Sequence, residues 1–247
     1  AYMYAIPQKF YDEYRIRKYG FHGTSHKFVM LAAAEFLKKP VEELKLITCH
    51  LGNGSSIAAI KGGKVLDTSM GMTPLAGLIM GTRCGDIDPA IIFFLARKGI
   101  SADEIDNALN KRSGLMGING IESGDMRDTV NAATQGKAAA ENALHMFGHR
   151  TAFYIGGYYT LMGGADAIIF TGGIGENSAP ARQMIVSRLE AIGCKLDDAK
   201  NKATAGKTGV ITTDASKLPA IVIPTDEELM IARETLRVLS ETTKSTK

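Results

Sequence analysis

Short apolar runs, separated by glycine-rich turns, mark the stretch of chain that begins at residue 44. Residues 44–60 hold two such runs on either side of the turn at residues 52–56, and residues 64–69, after the turn at Gly62 and Gly63, are a third, short strand candidate. Apolar runs of this length between turn residues predict buried strands. Three strands in so short a stretch predict an antiparallel meander.

The capping residues and the spacing of the apolar residues in the middle of the chain predict helices. Residues 88–99 combine an N-capping Asp, a Pro in the first turn and a terminal Gly, and residues 101–104 form a capping box. Apolar side chains recur three and four positions apart over residues 137–162, which predicts one long helix. Gly148 and the Gly156-Gly157 pair within it predict a bend or close packing contacts.

Two strand–turn–helix units follow. Residues 166–171 predict a buried strand, residues 172–177 a glycine-rich turn, and residues 178–193 a helix that stops at a glycine. Residues 220–223 predict another strand, and Thr225 with Glu228 predicts a capping box at the start of the last helix. The polar residues that finish the chain predict a frayed end.

This order of elements predicts a mixed α/β fold. Ligands of open α/β sheets bind beyond the carboxyl ends of the strands. The turns at residues 52–56, 172–177 and 225–228 fall at such strand ends. They are therefore the places where we expect chemistry.

Composition narrows the class of protein. The chain has 247 residues with a net charge of only +3, which gives no case for nucleic-acid binding. Its start lacks the pattern of a signal peptide, and no apolar run reaches the ~18 residues of a membrane span. The three cysteines form no CxxC pair, which favours reduced thiols and a cytoplasmic location. The absence of an initiator Met predicts a trimmed or incomplete N-terminus.

The first candidate site is the turn at residues 50–56. Its glycines allow the backbone to approach an anion, and Asn53 with the following serines adds hydrogen-bond donors. A phosphate group is therefore the expected ligand. A plain hairpin is an equally good interpretation, because Asn-Gly is a strong turn signal. The Gly-Lys-Ser/Thr of a Walker A loop is not present in this turn.

The second candidate site is the turn at residues 172–177. Its backbone amides precede a helix, where the helix dipole favours negative charge, and bare backbone leaves room for a flat base such as adenine. A close strand-to-helix turn is the alternative. Two glycine-rich turns in one α/β chain favour a nucleotide.

Charged residues in three further turns are candidates. Arg83 offers a planar fork to phosphate or carboxylate, with a structural pair to Asp86 or Asp88 as the alternative. The polar turn at residues 124–128 holds a second arginine. From the sequence alone, an ordinary surface turn is a better interpretation of it than a binding site. Glu227 is not needed for the predicted cap, so its carboxylate is free to hold Mg²⁺ or to remain solvated.

Two histidines four positions apart, His22 and His26, suggest a shared helix face. A zinc hydrolase would need a third ligand and a Glu after the first His, where Gly23 stands instead. A better use for His22 is that of a donor at a phosphate.

Taken together, these motifs resemble the acetate kinase family of the sugar kinase/Hsp70/actin superfamily. The stretches that carry the resemblance are YGFHGTSHKFV (19–29), HLGNGSSIAAI (50–60), DTSMGMTPLAGLIMGTRCGDIDPAI (67–91), GDMRD (124–128), FTGGIGENS (170–178) and PTDEELMIARET (224–235). The resemblance implies an actin-like ATPase (ribonuclease H-like) fold and transfer of the ATP γ-phosphoryl group to a short carboxylate. Acetate is the first expectation and propionate the second.

The resemblance also implies roles for single residues. His22 and Arg83 resemble the pair that stabilises the transferred phosphoryl group, and Glu227 matches the Mg²⁺ ligand, for which Mn²⁺ is an alternative. The phosphate loop is implied at His50, Leu51, Gly52, Asn53 and Gly54. The adenosine pocket is implied at Asp125, Met126, Arg127, Gly173, Ile174, Gly175, Glu176 and Asn177. Asp226 stands where the family often has Asn.

The resemblance further implies a missing part. Family members carry an N-terminal domain with a second phosphate loop, a substrate-contacting arginine and a catalytic aspartate, none of which lies in residues 1–247. We therefore expect residues 1–43 to be an inter-lobe segment and residues 44–247 to be the C-terminal domain for nucleotide binding and dimerisation, with a homodimer as the assembly. Nucleotide binding should survive in this piece while turnover is severely impaired. A non-catalytic nucleotide-binding module is the alternative function.

Overall fold

The structure, a computed structural model, describes residues 1–245. Within them, six strands form one mixed sheet in the order β3-β2-β1-β4-β6-β5. The strands are β1 (Lys45–Leu51), β2 (Ser55–Lys61), β3 (Lys64–Thr68), β4 (Ala167–Thr171), β5 (Gly209–Val210) and β6 (Ala220–Val222). The first three form the predicted antiparallel meander, whereas β4 runs parallel to β1 and to β6. The predicted mixed α/β fold class is thereby confirmed.

Helices cover both faces of this sheet. They are α1 (Lys9–Tyr14), α2 (Gly23–Leu37), α3 (Ala90–Arg97), α4 (Ala102–Lys111), α5 (Gly114–Ile118), α6 (Met126–Thr134), α7 (Ala138–Met162), α8 (Gly172–Asn177), α9 (Ala179–Val186), α10 (Asp198–Ala203) and α11 (Glu227–Ser245). No helix of the described residues combines the length and the apolarity that a bilayer crossing requires.

The two faces of the sheet carry separate apolar cores because successive strand residues point to opposite sides. In β4, Ile168 and Phe170 pack into the core beneath α7 and α9, while Ala167 and Ile169 pack into the core beneath α2. Helix α2 thus belongs to the packing of the sheet although it lies within residues 1–43. The division of the chain at residue 43 stays a prediction.

Two predicted elements differ from those observed. The turn expected at residues 172–177 is the short helix α8, because the Glu176 carboxylate accepts the backbone N–H of Gly172 and so satisfies a first-turn donor. The helix expected to run to residue 193 ends at Val186. Leu189 turns into the core beyond it, and Gly193 at φ +84° closes the segment.

The expected capping box at the last helix is wrong. Asp226, not Thr225, caps α11, because its Oδ1 accepts the backbone N–H of Leu229 at 2.9 Å. The frayed end predicted at residues 242–247 is wrong for residues 242–245, because helix α11 extends through Ser245, and residues 246–247 lie outside the described residues. Glu227 becomes the first residue of the helix.

The long helix α7 forms as predicted and shows why Gly148 is a glycine. A Cβ at Gly148 would lie 2.8 Å from the carbonyl oxygen of Met184, so only glycine allows α9 to approach this closely. Gly156 and Gly157 face open space. Close packing, one of the two predicted explanations, therefore applies at Gly148.

Candidate active site

The three turns that were predicted to carry chemistry lie at one edge of the sheet. Strands β1, β4 and β6 run parallel, so the chain leaves all three at the same edge. The turn after β1, helix α8 after β4 and the start of α11 after β6 consequently neighbour one another. This is the edge at which open α/β sheets bind their ligands.

An open cavity of about 650 Å³ lies at this edge, within the range of small-molecule sites. The residues predicted for a nucleotide that line it are Gly52, Asn53, Asp125, Met126, Arg127, Gly173, Ile174 and Asn177. Gly124, from the candidate polar turn at residues 124–128, also lines it, together with residues that were not assigned a role: Val130, Asn131, Ser178 and Pro180. They enter because α6 and α9 face each other across the cavity, a relation for which the sequence carries no signal.

Three residues predicted for the same loops serve the scaffold instead of the cavity wall. Leu51 and Gly175 are buried and neighbour each other below the surface. Oε1 of Glu176 accepts the backbone N–H groups of Gly172 at 2.8 Å and of Thr225 at 3.1 Å. Glu176 thus ties α8 to the turn that precedes α11.

His22, Arg83 and Gly54 form a second group beside the phosphate-loop turn. A Cβ built on Gly54 would lie 3.1 Å from Nη1 of Arg83 and 3.6 Å from Nε2 of His22. The two side chains therefore face one point above bare backbone. His22 is held in a left-handed conformation at φ +59°, immediately before α2.

His50 completes this group from the end of β1. Its ring stacks on that of His22, with centroids 4.1 Å apart, and its Nδ1 is hydrogen-bonded to Ser25 Oγ at 2.8 Å. Burial, reinforced by the neighbouring His50, lowers the pKa of His22 to about 4, and burial also lowers the pKa of His50. Both rings are therefore neutral at pH 7.

Two alternative interpretations of the sequence are contradicted. Both ring nitrogens of His26 are hydrogen-bonded, to Thr48 and to Ser56, so neither faces a metal as a zinc hydrolase would require. Arg83 pairs with neither Asp86 nor Asp88 among the described residues. The Asp86 carboxylate accepts from the backbone of Gly77 and from Tyr154, and the Asp88 carboxylate accepts from the backbone of Ala90. The Arg83 side chain remains directed at Gly54.

The described residues hold no cluster of three or more His, Cys, Asp or Glu side chains arranged for a metal. Mg²⁺, however, usually takes only one or two carboxylates and completes its shell with phosphates and water. Glu227 is an exposed, hard oxygen donor whose charge acts on His22. It suits Mg²⁺ on a nucleotide and would not hold the ion alone.

Sequence reasoning missed Arg182, the largest fully buried side chain. Its guanidinium donates to the carbonyl oxygens of Gly175 and Glu176, and to Asn201 through both the side chain and the backbone. Burial lowers its pKa to about 10, so it stays charged at pH 7. Arg182 anchors the end of α8 from below, and no motif in the sequence marks it.

The sequence is similar to a well-populated protein family. The sequence model of the Acetokinase family matches residues 1–233. The chain is 57% identical over 242 residues to the acetate kinase of Clostridium novyi, covering 98% of this chain and 60% of that protein. It is 54% identical over 245 residues to the acetate kinase of Methanosarcina thermophila, covering 99% and 60%. The chain thus spans about 60% of the length of these relatives.

Solved structures agree with the sequence comparison. The crystal structure of Porphyromonas gingivalis acetate kinase superimposes with a TM-score of 0.93 at 44% identity, covering 97% of this chain and 60% of that one. A propionate kinase from Francisella tularensis superimposes with a TM-score of 0.89 at 45% identity, covering 94% and 59%.

Proposed function

Because the chain belongs to the Acetokinase family, we propose that it forms the nucleotide-binding part of an acetate kinase. The reaction is the reversible transfer of the ATP γ-phosphoryl group to acetate, which gives acetyl phosphate and ADP. The observation that carries this proposal is the convergence of His22 Nε2 and Arg83 Nη1 on Gly54, beside a cavity that suits a nucleoside.

The geometry supports separate binding positions for the adenosine and for the phosphates along this edge of the sheet. The cavity between α6 and α8 takes adenosine, with Asp125, Met126 and Arg127 on one wall and Gly173, Ile174 and Asn177 on the other. Gly52 and Asn53 line the same cavity and lead the phosphates towards Gly54. There the donors of Arg83 and His22 stabilise the negative charge of the transferred group, which is the main task in phosphoryl transfer.

Glu227 would hold Mg²⁺ together with the nucleotide phosphates. When bound, the ion neutralises charge on the phosphate oxygens. Asp226 contributes to this arrangement indirectly, because its cap fixes the first turn of α11, in which Glu227 lies. Mn²⁺ has similar ligand preferences and is the alternative ion.

Propionate is the second candidate acceptor, since a propionate kinase is among the similar structures. The test is ATP-dependent acyl-hydroxamate formation with acetate, propionate and butyrate, on a preparation whose N-terminal sequence and intact mass are known. We expect nucleotide binding by the 247 residues and severely impaired turnover. Undetectable binding of Mg-ATP and Mg-ADP would contradict the proposal, and binding without turnover in any longer form of the protein would favour a non-catalytic nucleotide module.

We also propose a cytoplasmic homodimer. Its support is the exposed apolar side of α7, where Phe153 is 70% and Leu161 is 54% accessible to solvent. The three cysteines are unpaired, which suits a reducing compartment. Sedimentation equilibrium should give twice the chain mass, and Phe153→Glu should yield monomers. A monomeric parent chain at micromolar concentration would contradict the dimer.

A further inference from the structure

A chain of hydrogen bonds runs from His22 into the core of the sheet. Nδ1 of His22 lies 2.9 Å from Ser56 Oγ, which lies 2.8 Å from Nε2 of His26. Nδ1 of His26 in turn lies 2.8 Å from Thr48 Oγ1. Ser56, His26 and Thr48 are all buried. Thr48 was not among the predicted site residues, and neither Ser56 nor His26 was predicted to contact His22.

Ser56 Oγ has no hydrogen-bond partner other than the two rings among the described residues, so its hydrogen must go to one of them, and only two arrangements of this chain remain. A neutral imidazole has one N–H and one lone-pair nitrogen, and a hydroxyl has one hydrogen. Burial lowers the pKa of His26 to about 3 and that of His22 to about 4, so both rings are neutral at pH 7. If Ser56 donates to His22, then His26 must donate to Ser56, and Thr48 must donate to His26. If Ser56 donates to His26 instead, every bond reverses.

The two arrangements differ at the buried end. In the reversed arrangement Thr48 would accept from His26, and its own hydroxyl hydrogen would need another acceptor. Thr48 Oγ1 has no other hydrogen-bond partner among the side chains and backbone that the structure describes. A buried donor without a partner is penalised, whereas a hydroxyl that donates and leaves a lone pair free is common. The buried end therefore favours donation outwards, from Thr48 towards His22.

The two arrangements also differ at the exposed end. Outward donation leaves the proton of His22 on Nε2, the atom that faces Gly54 beside Arg83. The reversed arrangement would place a lone pair there, which Arg83 could fill. Nη1 of Arg83 instead contacts Sδ of Met80 at 3.8 Å. The exposed end thus agrees with a donor at Nε2.

We propose that Thr48, His26 and Ser56 are positioning residues that hold His22 as the Nε2–H tautomer, a fixed hydrogen-bond donor to a phosphoryl oxygen. His22 then cannot accept a proton at Nε2, so it stabilises charge and does not act as a base. The identity of the acceptor rests on the proposed function. The tautomer itself is a property of the free chain.

The test is nitrogen-15 NMR of the imidazole rings at pH 7, which reports directly which nitrogen carries the proton. The chain has five histidines, and His22→Gln and His26→Gln assign the two signals by their loss. We expect both His22 and His26 to be protonated on Nε2 alone. A proton on Nδ1 of His22, or an equal mixture of the two tautomers, would overturn the inference.

A matched pair of variants at Thr48 separates positioning from simple stabilisation. Thr48→Val keeps the shape and removes the hydroxyl, so the preference imposed by the Thr48 donor is lost and the Nε2–H population of His22 should fall below that of the parent chain. Thr48→Ser keeps the hydroxyl and should keep the single tautomer. A single Nε2–H tautomer in Thr48→Val would overturn the role of Thr48, whatever the variant does to thermal stability.

Failure of this inference and failure of the proposed function give different results. Mg-ADP that binds to a chain whose His22 carries its proton on Nδ1 refutes the tautomer alone. A chain with the Nε2–H tautomer that binds no nucleotide refutes the proposed function and leaves the tautomer in place.

Discussion

The carboxylate of Glu176 and the backbone N–H of Thr225, 49 positions apart, are joined by a hydrogen bond of 3.1 Å. The same oxygen accepts the N–H of Gly172 at 2.8 Å. One side chain therefore links α8, which lines the cavity, to the turn that leads to Glu227.

Replacement of Glu176 should disturb both ends of this link. Glu176→Ala leaves two backbone N–H groups without their acceptor, at a cost of about 1–3 kcal/mol each, and should weaken Mg-ADP binding. Glu176→Gln keeps an amide oxygen in place and should retain most of both properties. Urea unfolding and calorimetric titration measure the two effects. Unchanged stability and affinity in Glu176→Ala would refute the link.

A methyl group on Gly54 should separate phosphate binding from adenosine binding. Gly54→Ala places a Cβ 3.1 Å from Nη1 of Arg83, where the phosphates are expected, while the adenosine cavity is not lined by Gly54. We expect ATP to bind about tenfold more weakly, or about 1.4 kcal/mol, with adenosine affinity unchanged. Gly156→Ala, which also meets open space on α7 but lies away from the stripe of Phe153 and Leu161, is the matched control. Equal losses for ATP and adenosine would contradict the proposed position of the phosphates.

Loss of the buried guanidinium should loosen α8. Arg182→Lys keeps the charge but cannot reproduce the fork that reaches Gly175, Glu176 and Asn201 together. The free energy of unfolding should fall by at least about 2 kcal/mol. Arg97→Lys, an exposed arginine on α3, should change it by less than about 0.5 kcal/mol. Equal unfolding midpoints for the two variants would show that Arg182 is not an anchor.

The buried His26 should make stability depend on pH. Its pKa is lowered from 6.5 to about 3 by burial, so the unfolded chain binds a proton at higher pH than the folded chain does. The contribution of His26 to stability is therefore complete above pH 6.5 and falls as the pH drops towards 3, by about 2 kcal/mol at pH 5. His22, whose pKa is lowered to about 4, adds a loss of its own over the same range. Urea unfolding of the parent, of His26→Gln and of the exposed His149→Gln at pH 7 and pH 5 measures it. Only His26→Gln should reduce the pH-dependent loss; an equal reduction in His149→Gln would contradict it.

Local signals in the sequence were sufficient for most of the elements and for the edge that carries the site. The apolar run of β4 and the turns after β1 and β4 depend on neighbouring residues, and such short-range patterns predicted the meander and the long helix α7. Local signals failed where two candidates compete, as at Thr225 and Asp226, because either side chain can cap a helix and only the backbone geometry selects one.

The sequence by itself determined which residues could meet a nucleotide, because glycine-rich turns at strand ends and the family motifs are readable in order along the chain. Only the tertiary structure decided which other residues support these site residues from within the fold. Arg182 beneath α8, Glu176 turned towards Thr225, and the path from Thr48 to His22 each join residues far apart in sequence. Such contacts exist only once the sheet has brought separate strand ends to one edge, and no local pattern encodes them.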